Sequence, residues 1–115
     1  MGFKTVNVLS AADTASQTGS AINVQGGVMA SFVPVFGDVS ANGTIKIQAS
    51  NDIVPVGGSP TNWVDITNAT SSIASGVGPA IMLSYMCYAW IRVVYTRSSG
   101  GSTTVSVNMN YYSIY

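Results

Sequence analysis

Apolar and polar residues alternate along much of this chain, and the alternation is cleanest over residues 85–114. In the first half of that stretch Cys87, Ala89, Ile91, Val93 and Tyr95 fall on one side; in the second half Thr103, Val105, Val107, Met109 and Tyr111 do. Successive strand side chains point to opposite faces, so each run presents one mainly apolar face. The other face is mixed and carries Trp90, Arg92, Thr96, Thr104, Asn108 and Asn110. The connection at residues 98–101, S-S-G-G, has the composition of a longer hairpin loop. The pattern predicts a β-hairpin at the centre of a half-buried antiparallel sheet.

Shorter apolar runs between turn signals extend this reading, and no convincing amphipathic helix interrupts them. Residues 3–9 form a first predicted strand. Residues 11–20 (A-A-D-T-A-S-Q-T-G-S) are small and polar, as in a loop or an extended arm. Residues 21–25 predict a short strand closed by Gly26-Gly27, and residues 28–36 a longer one. Pro34 has no N–H to give a ladder, which puts that strand at an edge or a bulge. Asn42-Gly43 reads as a tight turn. After it, Ile45, Ile47 and Ala49 alternate inward while Thr44, Lys46, Gln48 and Ser50 alternate outward. Residues 51–62, with Pro55, Gly57-Gly58 and Pro60, form a long loop of the kind often used for contacts. Residues 63–67, 72–74 and 80–84 complete a set of about eight strands. The expected fold is all-β: one domain over residues 1–115, an antiparallel β-sandwich of jelly-roll or other Greek-key topology.

At 115 residues and 47% hydrophobic, the chain can bury a real core without metals or disulfides. Only 7% of residues are charged, against about 25% in an average soluble protein. Four Lys/Arg balance four Asp, with no Glu and no His. Four cations cannot build a phosphate-binding patch, so nucleic acid is not an expected partner. Without histidine the chain lacks the commonest catalytic base and metal ligand. One cysteine rules out an internal disulfide and a multi-cysteine zinc site. The N-terminal residues contain no apolar stretch of signal-peptide length. The most apolar segment, residues 77–91, falls short of the roughly 20 residues of a spanning helix, so no membrane partner is expected. A surface this poor in charge relies on Ser, Thr, Asn, Gln and Gly, or is covered by other proteins.

Candidate chemistry is sparse. No G-x-S-x-G elbow is present, and no base could activate a serine. Asp13, Asp38, Asp52 and Asp65 sit in or beside predicted turns, where carboxylates hydrogen-bond the local backbone. The alternatives are a spatially assembled glycosidase-type pair and a calcium site built on Asp52 and Asn51. Cys87 reads as a small buried residue. Asn42-Gly43-Thr44 and Asn68-Ala69-Thr70 match the glycosylation acceptor pattern, which without a secretion signal reads as coincidence. No enzymatic activity, cofactor or metal is therefore expected. Trp63, Trp90, Tyr88, Tyr112 and Tyr115 are the sharper question. Trp90 and Tyr88 are expected on the polar face with Arg92. Three readings stay open there: cover on both faces of the hairpin, a protein interface, or a sugar-stacking platform.

Three segments carry a resemblance: G-T-I-K-I-Q-A-S-N-D at residues 43–52, P-T-N-W-V-D-I at 60–66 and W-I-R-V-V-Y-T-R-S-S-G-G at 90–101. In order and spacing they resemble small structural proteins of tailed-bacteriophage virion modules. The resemblance implies a β-sandwich, often jelly-roll-like, seated on a capsid or tail, and implies no catalytic residues. The expected function is a capsid decoration (cement) protein on the virion surface, assembled in the host cytoplasm. Its expected partners are the major capsid protein or other virion proteins, and further copies of itself in a symmetric oligomer. A tail, neck or head-fibre component is the alternative within virions; a carbohydrate-binding module using Trp90 or Trp63 is the alternative outside them. The candidate interface residues are Tyr88, Trp90, Arg92, Trp63 and Tyr112, and residues 11–20 are a candidate arm ordering on a neighbour.

Overall fold

A computed structural model describes residues 2–55 and 57–114. Among them nine strands appear in chain order: β1 (Gly2–Ala12), β2 (Gln17–Thr18), β3 (Ile22–Asn23), β4 (Gly27–Phe36), β5 (Asn42–Ser50), β6 (Val64–Ile73), β7 (Ile81–Leu83), β8 (Trp90–Ser99) and β9 (Thr104–Ser113). They form two antiparallel sheets. The first has the order β1-β9-β4-β7; the second has the order β2-β8-β5-β6, with β3 also against β8. Gln17 and Thr18 pair with Tyr95 and Val94, and Ile22 and Asn23 pair with Ile91 and Trp90. β2 and β3 are thus one edge strand interrupted near Gly19, and the sandwich has jelly-roll order. Every connection crosses between sheets except the break within the β2/β3 edge strand and the long one joining β5 to β6.

The core lies between the sheets. From the second sheet Ile45, Ile47, Ile91, Val93 and Tyr95 are fully buried, and from the first Phe32, Val105, Val107 and Met109. The alternation of the last two strands thus correctly marks their buried faces. Their pairing differs from the expected hairpin: β8 and β9 belong to different sheets and face each other across the core. Period-two patterning reports which face is buried and is silent on the neighbouring strand. The connection between them turns through Gly100 and Gly101, both left-handed with φ of 70° and 86°.

Other boundaries move for local reasons. Asn42-Gly43 is not a turn but the start of β5. The Asn42 amide donates to the Ser40 carbonyl (2.9 Å) and Ser99 Oγ (3.2 Å), and its Oδ1 accepts from the Ser75 N–H (3.1 Å). Gly43 is small because a Cβ there would stand 2.2 Å from the Thr96 carbonyl oxygen. The two strands expected over 63–67 and 72–74 are one, β6, with a bulge: Gln48 pairs with Asp65 but Lys46 with Thr70. Asn68 takes the left-handed conformation inside that bulge (φ 64°), which asparagine tolerates better than most residues. Residues 11–20 lie along the sandwich, with Ala11 and Ala12 in β1 and residues 17–18 in β2. Asp13 is buried there, its Oδ1 accepting the Thr103 N–H at 2.9 Å. Pro34 lies on β4 beyond the stretch Ala30–Phe32 that β7 covers, as its missing N–H requires. Cys87 is exposed rather than buried, because β8 begins only at Trp90 and the alternation does not reach back to it.

Candidate functional site

The outer face of the second sheet collects three of the chain's eight charged residues and both tryptophans. β8 turns Ile91, Val93 and Tyr95 inward, so Trp90, Arg92 and Val94 point out. β5 turns Lys46 and Gln48 out by the same rule. Register then sets Arg92 opposite Gln48, and Gln48 opposite Asp65, across three adjacent strands.

A hydrogen-bonded row follows. Arg92 Nε donates to Gln48 Oε1 at 2.7 Å, and Gln48 Nε2 donates to Asp65 Oδ1 at 2.8 Å. Lys46 Nζ completes it at 3.2 Å from Asp65 Oδ2. The Gln48 bond, and then Lys46, hold the Asp65 carboxyl below the usual carboxylate range. The Arg92 guanidinium lies 4.4 Å from the centroid of the Trp63 ring, a cation–π stack. Trp63 is itself anchored by its indole N–H, which donates to the Pro60 carbonyl at 3.2 Å. An exposed Lys–Asp pair contributes little to stability on its own; the effect of the row is to fix the orientation of a tryptophan and an arginine.

The loop before β6 delivers Trp63 to this place. Asp52 Oδ2 accepts the N–H groups of Thr61 (2.7 Å) and Asn62 (2.9 Å), and Oδ1 accepts the Asn62 side-chain amide (3.0 Å). These bonds, those of Asn62 foremost, hold the Asp52 carboxyl at about 2. Asp52 is therefore a loop clasp. Among the described residues, no group of three or more His, Cys, Asp or Glu could hold a metal ion. A folded-state pKa below the ordinary value means that the clasp acts fully above the unfolded carboxylate pKa. It is lost as pH falls through about 2. NMR titration of the Asp52 carboxyl carbon should give that midpoint, with the Thr61 and Asn62 amide resonances moving in step; a midpoint near that of a free aspartate would contradict the clasp.

Of the residues singled out from the sequence, Trp63 and Arg92 are in direct contact, and Trp90 shares their face, paired between Asn23 and Ser50. Tyr88 does not share the outer face: it precedes β8 and packs, half-buried, against the edge of the core. Tyr112 lies on the other sheet's outer face, edge-on to Phe3 with ring centroids 5.1 Å apart. Tyr115 lies outside the described residues. Sequence reasoning did not single out Gln48, Lys46 and Asp65 as site residues. Gln48 and Lys46 were legible as outward positions of β5, but Asp65 resembled a turn residue because the β5–β6 register is invisible in sequence.

No protein-family model and no curated protein sequence matches the chain. Solved structures do resemble it. The SPBc2 prophage-derived protein YomS aligns with a TM-score of 0.57 at 11% identity, covering 95% of this chain and 91% of that one. Chitosan-binding module 1 of a chitosanase/glucanase from Paenibacillus sp. IK-5 aligns at 0.52 and 17% identity, covering 96% and 92%. The Yersinia pseudotuberculosis-derived mitogen aligns at 0.51 and 14% identity, covering 98% and 87%. At these identities the likeness establishes a shared β-sandwich fold and nothing about function.

Proposed function

We propose that this protein is a structural component of a tailed-phage virion, specifically a capsid decoration protein that binds the head through the outer face of its second sheet. The observation that carries the proposal is the row Arg92–Gln48–Asp65 with Trp63 held under the guanidinium. Tryptophan and arginine supply much of the binding energy at protein interfaces, and here both are fixed before any partner arrives, which lowers the entropy lost on docking. The phage-like segments at residues 43–52, 60–66 and 90–101 contribute these same side chains, and jelly rolls recur in viral shells. The proposed role is non-catalytic, in keeping with a chain that has no histidine. A sugar platform on Trp63 is disfavoured because Arg92 already occupies one face of its ring.

Quantitative mass spectrometry of purified virions from a phage carrying this sequence tests the reading. Hundreds of copies per particle support a shell protein, tens indicate a tail or neck position, and absence from the particle overturns the proposal. Glycan-array binding by the isolated protein would favour the carbohydrate-binding reading instead. Arg92→Ala, which disconnects Trp63 from the row, is expected to lower occupancy on limiting particles by about tenfold, one interface side chain's worth. Its melting curve should stay close to the parent's.

A further inference from the structure

The outer face of the first sheet differs in kind from the docking face just described. Its rows can be read from the register: Phe3, Tyr112 and Met29; then Thr5, Asn110, Ser31 and Met82; then Asn7, Asn108 and Val33; then Ser10, Ser106 and Val35. None of the chain's eight charged residues stands in these rows; Lys4, on β1, pairs with the inward-facing Tyr111 and so points to the other side. Large apolar groups are nevertheless exposed on it: Phe3 at 65%, Met82 at 68%, Val35 at 56% and Val33 at 49%.

Five of its polar side chains, Thr5, Asn110, Asn7, Asn108 and Ser106, are hydrogen-bonded to one another. Thr5 Oγ1 donates to Asn110 Oδ1 at 3.1 Å, and Asn7 Nδ2 donates to Asn108 Oδ1 and Ser106 Oγ, each at 3.0 Å. Covering such a face removes apolar surface from water, and the side chains already bonded to one another keep those partners, which lowers the desolvation penalty.

We infer that this face binds a second copy of the same chain, two-fold related, stacking the two first sheets against each other. In a two-fold contact each patch meets itself, so any charge near the axis meets its own sign. A face free of charge is the kind that can do this, and it stands on a molecule whose opposite face carries Lys46, Asp65 and Arg92. The size also fits. Three strands of about ten residues and the three-residue β7, at about 4.8 Å spacing and about 3.4 Å per residue, give a patch of roughly 540 Å². Two such patches bury roughly 1,100 Å² in flat projection, more with side-chain relief, which clears the roughly 1,000 Å² a specific interface needs. Sheets stack face to face at about 10 Å, so the dimer is a four-layer sandwich. The Arg92 face then lies outermost on both copies. The inference does not depend on the virion reading, since self-association is measured on the isolated chain.

Sedimentation equilibrium of the full chain should show a monomer–dimer equilibrium. Val33→Lys, an exposed position near the middle of the face, should raise the dissociation constant by at least about 100-fold, because two lysines are forced together across the axis. Val77→Lys, at a still more exposed position (72%) away from this face, should leave it unchanged. Circular dichroism checks that both variants stay folded. If Val33→Lys does not fold, Met82→Lys on the same face, exposed at 68%, takes its place with the same expectation. A parent that remains monomeric at about 100 μM, a dimer indifferent to the face lysine, or a trimer or larger ring would overturn the inference; the first of these would assign the face to a different protein.

Discussion

Replacing Gly100 with alanine is expected to remove about 3–4 kcal/mol of folding stability, a large share of what a domain of this size has. The residue is left-handed, which alone penalises a Cβ by about 1–2 kcal/mol. In addition the new carbon would stand 1.8 Å from the Ser40 carbonyl oxygen and 2.6 Å from its carbonyl carbon. Those are backbone atoms, so relief requires moving the segment that carries the chain from β4 to β5. That segment is tied down: the Asp38 carboxylate accepts the Ser40 N–H at 2.8 Å and the Ser102 hydroxyl, and Ser40 Oγ accepts the Gly101 N–H at 3.1 Å. Gly57→Ala is the matched comparison. Gly57 is also left-handed (φ 82°), but nothing lies within 4 Å of its Cβ position. It should show only the conformational penalty of about 1–2 kcal/mol. Urea denaturation of both variants measures the difference, and equal losses would show that the close approach to Ser40 is not the cause.

Tyr95→Ala should be as damaging, by roughly 3–5 kcal/mol, because it empties the largest fully buried side chain in the core. The ring packs edge-on against Phe36 with centroids 5.5 Å apart, and the hydroxyl donates to the Asp13 carbonyl at 3.3 Å. Tyr95→Phe keeps the packing and loses only that bond, so it should cost about 1 kcal/mol. The two variants separate the ring's contribution from the hydroxyl's. Burial, and secondarily the negative charge of Asp13, push the Tyr95 phenol above its ordinary value, with Arg97 opposing. A raised folded-state pKa means full stability below the unfolded tyrosine value and loss as pH rises through the folded one. Denaturation curves above pH ~10 should therefore fall more steeply for the parent than for Tyr95→Phe.

The buried faces were legible because strand alternation is a local property. Ile45, Ile47, Ile91, Val93, Val105, Val107 and Met109 could all be assigned inward from spacing alone, and all are buried. Pairing was not legible, because it depends on contacts between distant segments. The S-S-G-G connection has the composition of a hairpin loop, yet its glycines serve a crossing between sheets, with Gly101 pressed against Asp13 and Gly100 against Ser40. Asn42-Gly43 misled in the same way, since the glycine answers to Thr96 on a neighbouring strand rather than to a turn. On the outer face of the second sheet, Trp63 and Arg92 stood out by residue type. Gln48 and Asp65 became site residues only through a register shifted by the bulge at Asn68.

The pairing of β1 with β9, which sets Gly2 opposite Ser113, constrains how the molecule comes into being. Among the described residues, β1 has its ladder partner in a strand made about a hundred positions later in the chain. Until residues 104–113 leave the ribosome, β1 is an unpaired strand with Phe3 exposed, and neither the first sheet nor its uncharged face exists. Folds that depend on such distant closures form slowly and expose unpaired edges meanwhile. The proposed self-association through that face would therefore wait on completion of the sheet, so that a growing chain would not engage a finished neighbour early.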